Sequence, residues 1–222
     1  MPLTKYGLPQ VAVFPSVLLA VMIIVAIFFD NVWLLCCTEA VLGIVLLWAL
    51  AFFRDPARNV PVDEDILIAP ADGTITDIET VREDNFIHGQ ALRIGIFLSV
   101  FNVHINRMPC AAVVEDVVYR PGKFKNAMSP ESGRVNEAND IMIRRHGRPA
   151  DKLIVRQISG AIARRIVCKA KTGDDFAGGE KFGMIKFGSR TELYIPAGET
   201  VKCLVKIGDK VKAGTTVMVR YQ

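Results

Sequence analysis

Two uncharged stretches near the amino terminus constrain this chain more than any other feature. Residues 11–29 carry no charged side chain, and residues 32–53 carry only Glu39. Each comes close to the roughly 20 apolar residues that a helix needs to cross a bilayer. The polar pair Asp30-Asn31 separates them, which predicts a helical membrane hairpin over residues 1–53. Trp33 and Trp48 stand near the ends of the second stretch, where indole rings anchor at a membrane interface. Lys5 precedes the first stretch, and Arg54 and Arg58 follow the second. This basic flanking places both ends on the cytoplasmic side of the cell (inner) membrane. Pro15 and the short turn also permit a re-entrant or shallow arrangement. A cleaved signal peptide fits poorly, because the first run is long, only Lys5 is basic before it, and a second apolar run follows at once.

The remainder reads differently. With 222 residues, 51% of them hydrophobic, the chain has material for one domain of ordinary size beyond the anchor. A proline-punctuated linker, residues 54–65, leads out of the hairpin. From residue 66 onward short β-branched runs alternate with Gly, Pro, Asn and Asp, as at 66–68, 74–78, 91–97, 112–119 and 153–158. This pattern predicts a mainly β domain over 66–222, a sandwich or flattened barrel. Residues 123–140 read as a long polar loop with at most a short helix. Residues 205–217 resemble the strand-turn signature of biotinyl and lipoyl carrier domains, and 71–75 resemble its other half. No lysine stands in a Met-Lys-Met turn, so the likeness concerns architecture and not activity.

The net charge of +4 is modest, and its clusters, Arg144-Arg145 with Arg148 and Arg164-Arg165, lack interleaved aromatic residues. That argues against nucleic acid. These clusters read as solvated faces, with a second use in holding anionic lipid headgroups. The five cysteines have no metal-type spacing and read as reduced and mostly buried; no metal is expected.

Gly188-Ser189 carries the chemistry. A glycine has no Cβ and opens its carbonyl to a neighbouring hydroxyl. Ser189 Oγ attacking the Gly188 carbonyl would turn the amide into an ester, and β-elimination followed by hydrolysis would leave a pyruvoyl group. The surrounding Gly179-Glu180-Lys181-Phe182-Gly183-Met184-Ile185-Lys186-Phe187-Gly188-Ser189-Arg190 resembles the processing site of the phosphatidylserine decarboxylase proenzymes, in their short prokaryotic form. Phe53-Arg54-Asp55-Pro56, Ala69-Pro70-Ala71-Asp72-Gly73, Phe101-Asn102-Val103-His104-Ile105-Asn106-Arg107-Met108-Pro109 and Ala163-Arg164-Arg165-Ile166-Val167 extend the resemblance in the family's order.

The resemblance implies self-cleavage between Gly188 and Ser189 into an α and a β chain that stay together as a heterodimer. It implies a covalent pyruvoyl cofactor from Ser189 that forms a Schiff base with phosphatidylserine and releases CO₂ and phosphatidylethanolamine. It also implies catalytic roles for Ser189, His104 and Asp72. Arg107 stands where the better-studied branch has a second histidine, so either His104 serves both steps or Arg107 and a water replace that base. Arg107, Arg164 and Arg165 are candidates for the substrate phosphate, and His88 and His146 read as turn residues. Two alternatives remain at this point: a pyruvoyl decarboxylase of another amino-acid headgroup, or a non-enzymatic membrane-tethered lipid-binding module. The oligomeric state is open.

Overall fold

The computed structural model describes residues 2–129, 131–161, 165–186 and 188–222, and it divides into two units, 1–56 and 57–222. The first unit is a helical hairpin of α1 (Leu8–Phe28) and α2 (Val32–Phe52). Each helix has 21 residues, about 31 Å at 1.5 Å per residue, so each is long and apolar enough to cross a membrane. Asn31 caps α2: its Oδ1 accepts from the N–H groups of Trp33 and Leu34 at 3.1 and 3.2 Å, satisfying donors that a helix start leaves open. Ser16 and Thr38 return their hydroxyl protons to the carbonyls of Ala12 and Leu34, so neither presents an unmet donor to an apolar surround. Leu3 bridges to Arg54, and Asp55 N–H donates to the Pro2 carbonyl. Both ends of the hairpin therefore meet on one side.

The second unit is mainly β. Its strands are β1 (Ile66–Ile68), β2 (Gly73–Glu83), β3 (Gly89–Leu98), β4 (Ile105–Arg107), β5 (Ala112–Arg120), β6 (Ala138–Arg145), β7 (Lys152–Ile158), β8 (Ile166–Cys168), β9 (Asp175–Phe176), β10 (Lys181–Ile185), β11 (Ser189–Pro196), β12 (Val201–Cys203), β13 (Lys210–Val211) and β14 (Val217–Tyr221), with one short helix, α3 (Ser132–Val135), between β5 and β6. All strand pairs are antiparallel. An eight-stranded sheet runs β13-β2-β3-β11-β7-β6-β5-β9, and two three-stranded sheets run β1-β14-β12 and β4-β10-β8. The two halves of the carrier-like pattern meet, since Lys210 pairs with Thr74 and Val211 with Gly73.

Side chains alternate faces along a strand, and β11 shows what that alternation builds. Leu193 and Ile195 enter a core shared with Ile75, Ile94, Ile96, Leu153 and Val155 of the large sheet, with Leu67, Phe182 and Val219 of the small ones, and with Met108 just after β4. Arg190, Glu192 and Tyr194 project from the other face into a buried ionic network. There Arg190 meets both oxygens of Asp77 at 2.7 and 2.6 Å and Glu192 at 2.8 Å. Tyr194 donates to Glu192 at 2.6 Å, and Arg156 joins Tyr194 to Asp140.

Several expectations are corrected here. Arg145 lies at the end of β6 and is 1% exposed, stacked over Tyr221 at 3.9 Å and donating to the Pro149 carbonyl, so it is no solvated face. Its neighbour Arg144 pairs with Glu115. Cys110 alone among the cysteines is buried: Cys36 and Cys37 are exposed on α2, and Cys168 and Cys203 are half-buried. The stretch 123–140 does hold a short helix, but its last residues already belong to β6.

Candidate active site

Ser189 opens β11, in the middle of the large sheet, opposite Leu98 of β3. It is fully buried, and its Oγ finds no hydrogen-bond partner among the described residues. A buried hydroxyl left unmet costs free energy, about 1–3 kcal/mol, which the fold retains at this one position of the strand. The preceding Gly188 has φ +65°, a backbone region closed to most residues with a Cβ. Phe187 lies outside the described residues.

Ser189 shares its face of β11 with Thr191, two residues on. Thr191 Oγ1 accepts from Asn106 Nδ2 at 3.0 Å, and Asn106 Oδ1 accepts from Gln157 at 2.9 Å. Asn106 is the middle residue of β4, and His104 precedes that strand by one residue. His104 is fully buried, and its carbonyl accepts from Ile185 N–H at 3.2 Å, four residues before Ser189. Through Asn106 and Ile185, β4 thus sets His104 beside the segment that contains the candidate cleavage point. Its Nδ1 lies 3.0 Å from the Asn102 carbonyl. A neutral ring donating there carries its lone pair on Nε2.

Asp72 lies elsewhere on the same frame. Its carboxylate is taken by Arg58, at 3.0 and 2.7 Å, and by the N–H of Ala213 at 2.8 Å. That ties Arg58 of the linker to the turn after β13. Arg107 packs on the same turn, because a Cβ on Gly214 would sit 2.9 Å from its Cδ, and its guanidinium donates to the Gly179 carbonyl at 2.9 Å. Arg165 is exposed, and its carbonyl accepts from Lys186 N–H; Arg164 lies outside the described residues. Burial and then the charge of Arg165 hold the Lys186 ammonium below the usual lysine range. His88 and His146 are exposed turn residues, bonded to the Asp84 carbonyl and to Asp175.

Sequence reasoning did not single out Asn106, Thr191 and Gln157, or the ionic partners of Arg190. Their signal was present as polar residues at inward positions of apolar runs, such as Arg93 in Ala91-Leu92-Arg93-Ile94 and Glu192 in Thr191-Glu192-Leu193-Tyr194. A cavity of about 390 Å³ is lined by Val60, Ile66, Ile68, Cys110 and Arg145 among others, and neither Ser189 nor His104 reaches it. Burial pushes the Cys110 thiol there up to about 12, which keeps it protonated and unreactive. No group of three or more His, Cys, Asp or Glu among the described residues is arranged for a metal.

The class so defined is a mainly β domain with a buried serine and a buried histidine, preceded in the chain by two apolar helices. Known proteins resemble it in sequence. The family profile described as "Phosphatidylserine decarboxylase" matches residues 45–219. The "Phosphatidylserine decarboxylase proenzyme" of Rhodopirellula baltica is 42% identical over 222 residues, covering 100% of this chain and 89% of the relative. That of Carboxydothermus hydrogenoformans is 44% identical over 192 residues, 86% of each. The Desulfotalea psychrophila proenzyme is 44% identical over 171 residues, 77% of this chain and 78% of its own. The chain belongs to the phosphatidylserine decarboxylase family. Membership makes it a decarboxylase of phospholipid metabolism with a zymogen form.

Proposed function

We propose that this chain converts phosphatidylserine to phosphatidylethanolamine and CO₂ with a pyruvoyl group that it makes from its own Ser189. The observation that carries the reading is the buried Ser189 Oγ, without a hydrogen-bond partner among the described residues, directly after the left-handed Gly188. In processing, the Ser189 hydroxyl gives its proton to a base and its oxygen attacks the Gly188 carbonyl carbon. The C–N bond breaks, the nitrogen is protonated to a free amine, and the chain continues through an ester. A base then takes the Cα hydrogen of residue 189, the electron pair forms a Cα–Cβ double bond, and Gly188 leaves as a carboxylate. Tautomerisation, addition of water and loss of ammonia leave a ketone at the head of residues 189–222.

His104 is the base in this account. Arg107 cannot replace it directly, because a guanidinium stays protonated. Asp72 acts at a distance, through Arg58 and the turn at 212–214, by fixing the frame on which β4 rests. The pyruvoyl ketone supplies an acceptor for the substrate amine and for the electron pair released as CO₂ departs. Arg107, Arg164 and Arg165 are the side chains for the lipid phosphate. The two chains remain together because β11, the first strand after the cut, is held between β3 and β7. The basic residues Lys5, Arg54 and Arg58 flanking the hairpin support a cytoplasmic β unit at the inner membrane; a cysteine probe at position 5 labelled from outside intact cells would contradict that orientation.

Carboxyl-labelled phosphatidylserine in mixed micelles tests the function. The wild-type protein should release labelled CO₂, and Ser189→Ala should release none. Equal release by both would remove Ser189 from the mechanism.

A further inference from the structure

Behind the peptide bond that this reading cuts stands a second glycine. A Cβ built on Gly160 would lie 2.0 Å from the Gly188 carbonyl oxygen and 3.0 Å from its carbonyl carbon. The oxygen of the carbonyl whose carbon would become tetrahedral in the first step therefore occupies the space that a side chain at position 160 would take. Gly160 is buried, and the segment that carries it is pinned. Ser159 donates to the Glu137 carbonyl through its N–H at 2.9 Å and its Oγ at 3.1 Å. Asn136, 2% exposed, donates to the carbonyls of Ser159 and Lys125, each at 2.8 Å, and accepts from Lys125 N–H at 2.8 Å. This one amide brackets the segment 125–127 and the segment 159–160 together. Ala127 closes the other side, with its Cβ 3.2 Å from the same point.

We infer that Gly160, held by Asn136 and Ser159, is a positioning residue for self-cleavage: it forms the wall against which the Gly188 carbonyl is set for attack by Ser189. The inference rests on the processing reading above and adds to it the element that orients the scissile carbonyl. The role ends with the cut. Once Gly188 is a free carboxylate at the end of its chain, nothing in the decarboxylation requires its former carbonyl geometry. A general packing role for Gly160 would affect both reactions, whereas a positioning role affects only the first.

The full-length chain, made by cell-free synthesis and sampled over time, separates the two. Gly160→Ala should slow the appearance of the cut product about a hundredfold, the penalty for misplacing a reacting group by about 1 Å. Each molecule that does mature should release CO₂ at the wild-type rate. Hydroxylamine, which cleaves an accumulated ester, should not speed the variant, because the fault precedes ester formation. Gly89→Ala, with nothing within 4 Å of the added Cβ, should be cut normally. Cleavage of Gly160→Ala at the wild-type rate, rescue by hydroxylamine, or a matching loss of turnover in its matured fraction would each overturn the inference. Should Gly160→Ala fail to fold, Ala127→Val, which extends into the same space from the neighbouring loop, must show the same split or the inference falls. If wild-type protein is not cut, or Ser189→Ala is, the processing reading itself fails; if those two controls behave, only the role of Gly160 is at stake.

Discussion

At position 104 the ring is wholly buried and turned so that Nδ1 faces the Asn102 carbonyl. A histidine so held has one tautomer favoured, which suits it to the role of base in both proposed steps. His104→Ala should slow both self-cleavage and decarboxylation by about a hundred- to ten-thousandfold, the usual penalty for removing a positioned base. His88→Ala and His146→Ala should leave both rates near normal, since both rings lie in exposed turns. Rates for the three variants, taken from gel time courses and CO₂ release, check the assignment; normal maturation and turnover of His104→Ala would end it. Single residues were unevenly legible in the sequence. Ser189 was legible because its neighbours form a dense motif. The local role of Asp72 was only half legible: Asp-Gly announces a turn, but its pairing with Arg58 and Ala213 links positions far apart in the chain.

Among the elements, β11 does the most. One face of it joins the core and the other holds four ionic groups in sequence: Asp77, Arg190, Glu192 and, through Tyr194, Arg156. Burial alone would raise the Asp77 carboxyl, but hydrogen bonds from Arg190 and Thr76 and the charges of Arg190 and Arg93 outweigh it and hold its pKa below the ordinary 3.8. A carboxylate whose folded pKa is depressed contributes stability above its unfolded pKa and loses that contribution as pH falls through the folded value. The melting temperature should therefore drop as pH falls below about 4. Asp77→Asn should destabilise the protein at pH 7 by roughly 3–5 kcal/mol, because it leaves the buried Arg190 short of its partner. It should also flatten the acid limb, and thermal unfolding of both proteins from pH 3 to 7 is the check. An Asp77→Asn curve parallel to the wild type, or no loss at neutral pH, would contradict this account of the network. The sequence showed β11 as a strand through its apolar residues but gave no partner for Arg190, because Asp77 lies on β2, two strands away.

For the whole molecule, an apolar hairpin and a mainly β unit follow directly from the change in hydrophobic pattern near residue 54. Strand order does not, since nothing local tells β11 to insert between β3 and β7. That insertion would let the proposed cut leave two chains joined: β11, beginning at Ser189, pairs with β3 from Ser189 to Pro196 and with β7 from Arg190 to Tyr194. The central claim is that Ser189 is converted, and the intact mass of the purified, denatured protein tests it most directly. Two species are expected, residues 1–188 and residues 189–222, the shorter one lighter by one ammonia than a peptide beginning with serine and resistant to amino-terminal sequencing. A single uncut chain of 24.5 kDa that still decarboxylates phosphatidylserine, or a shorter fragment that begins with an unmodified serine, would contradict it.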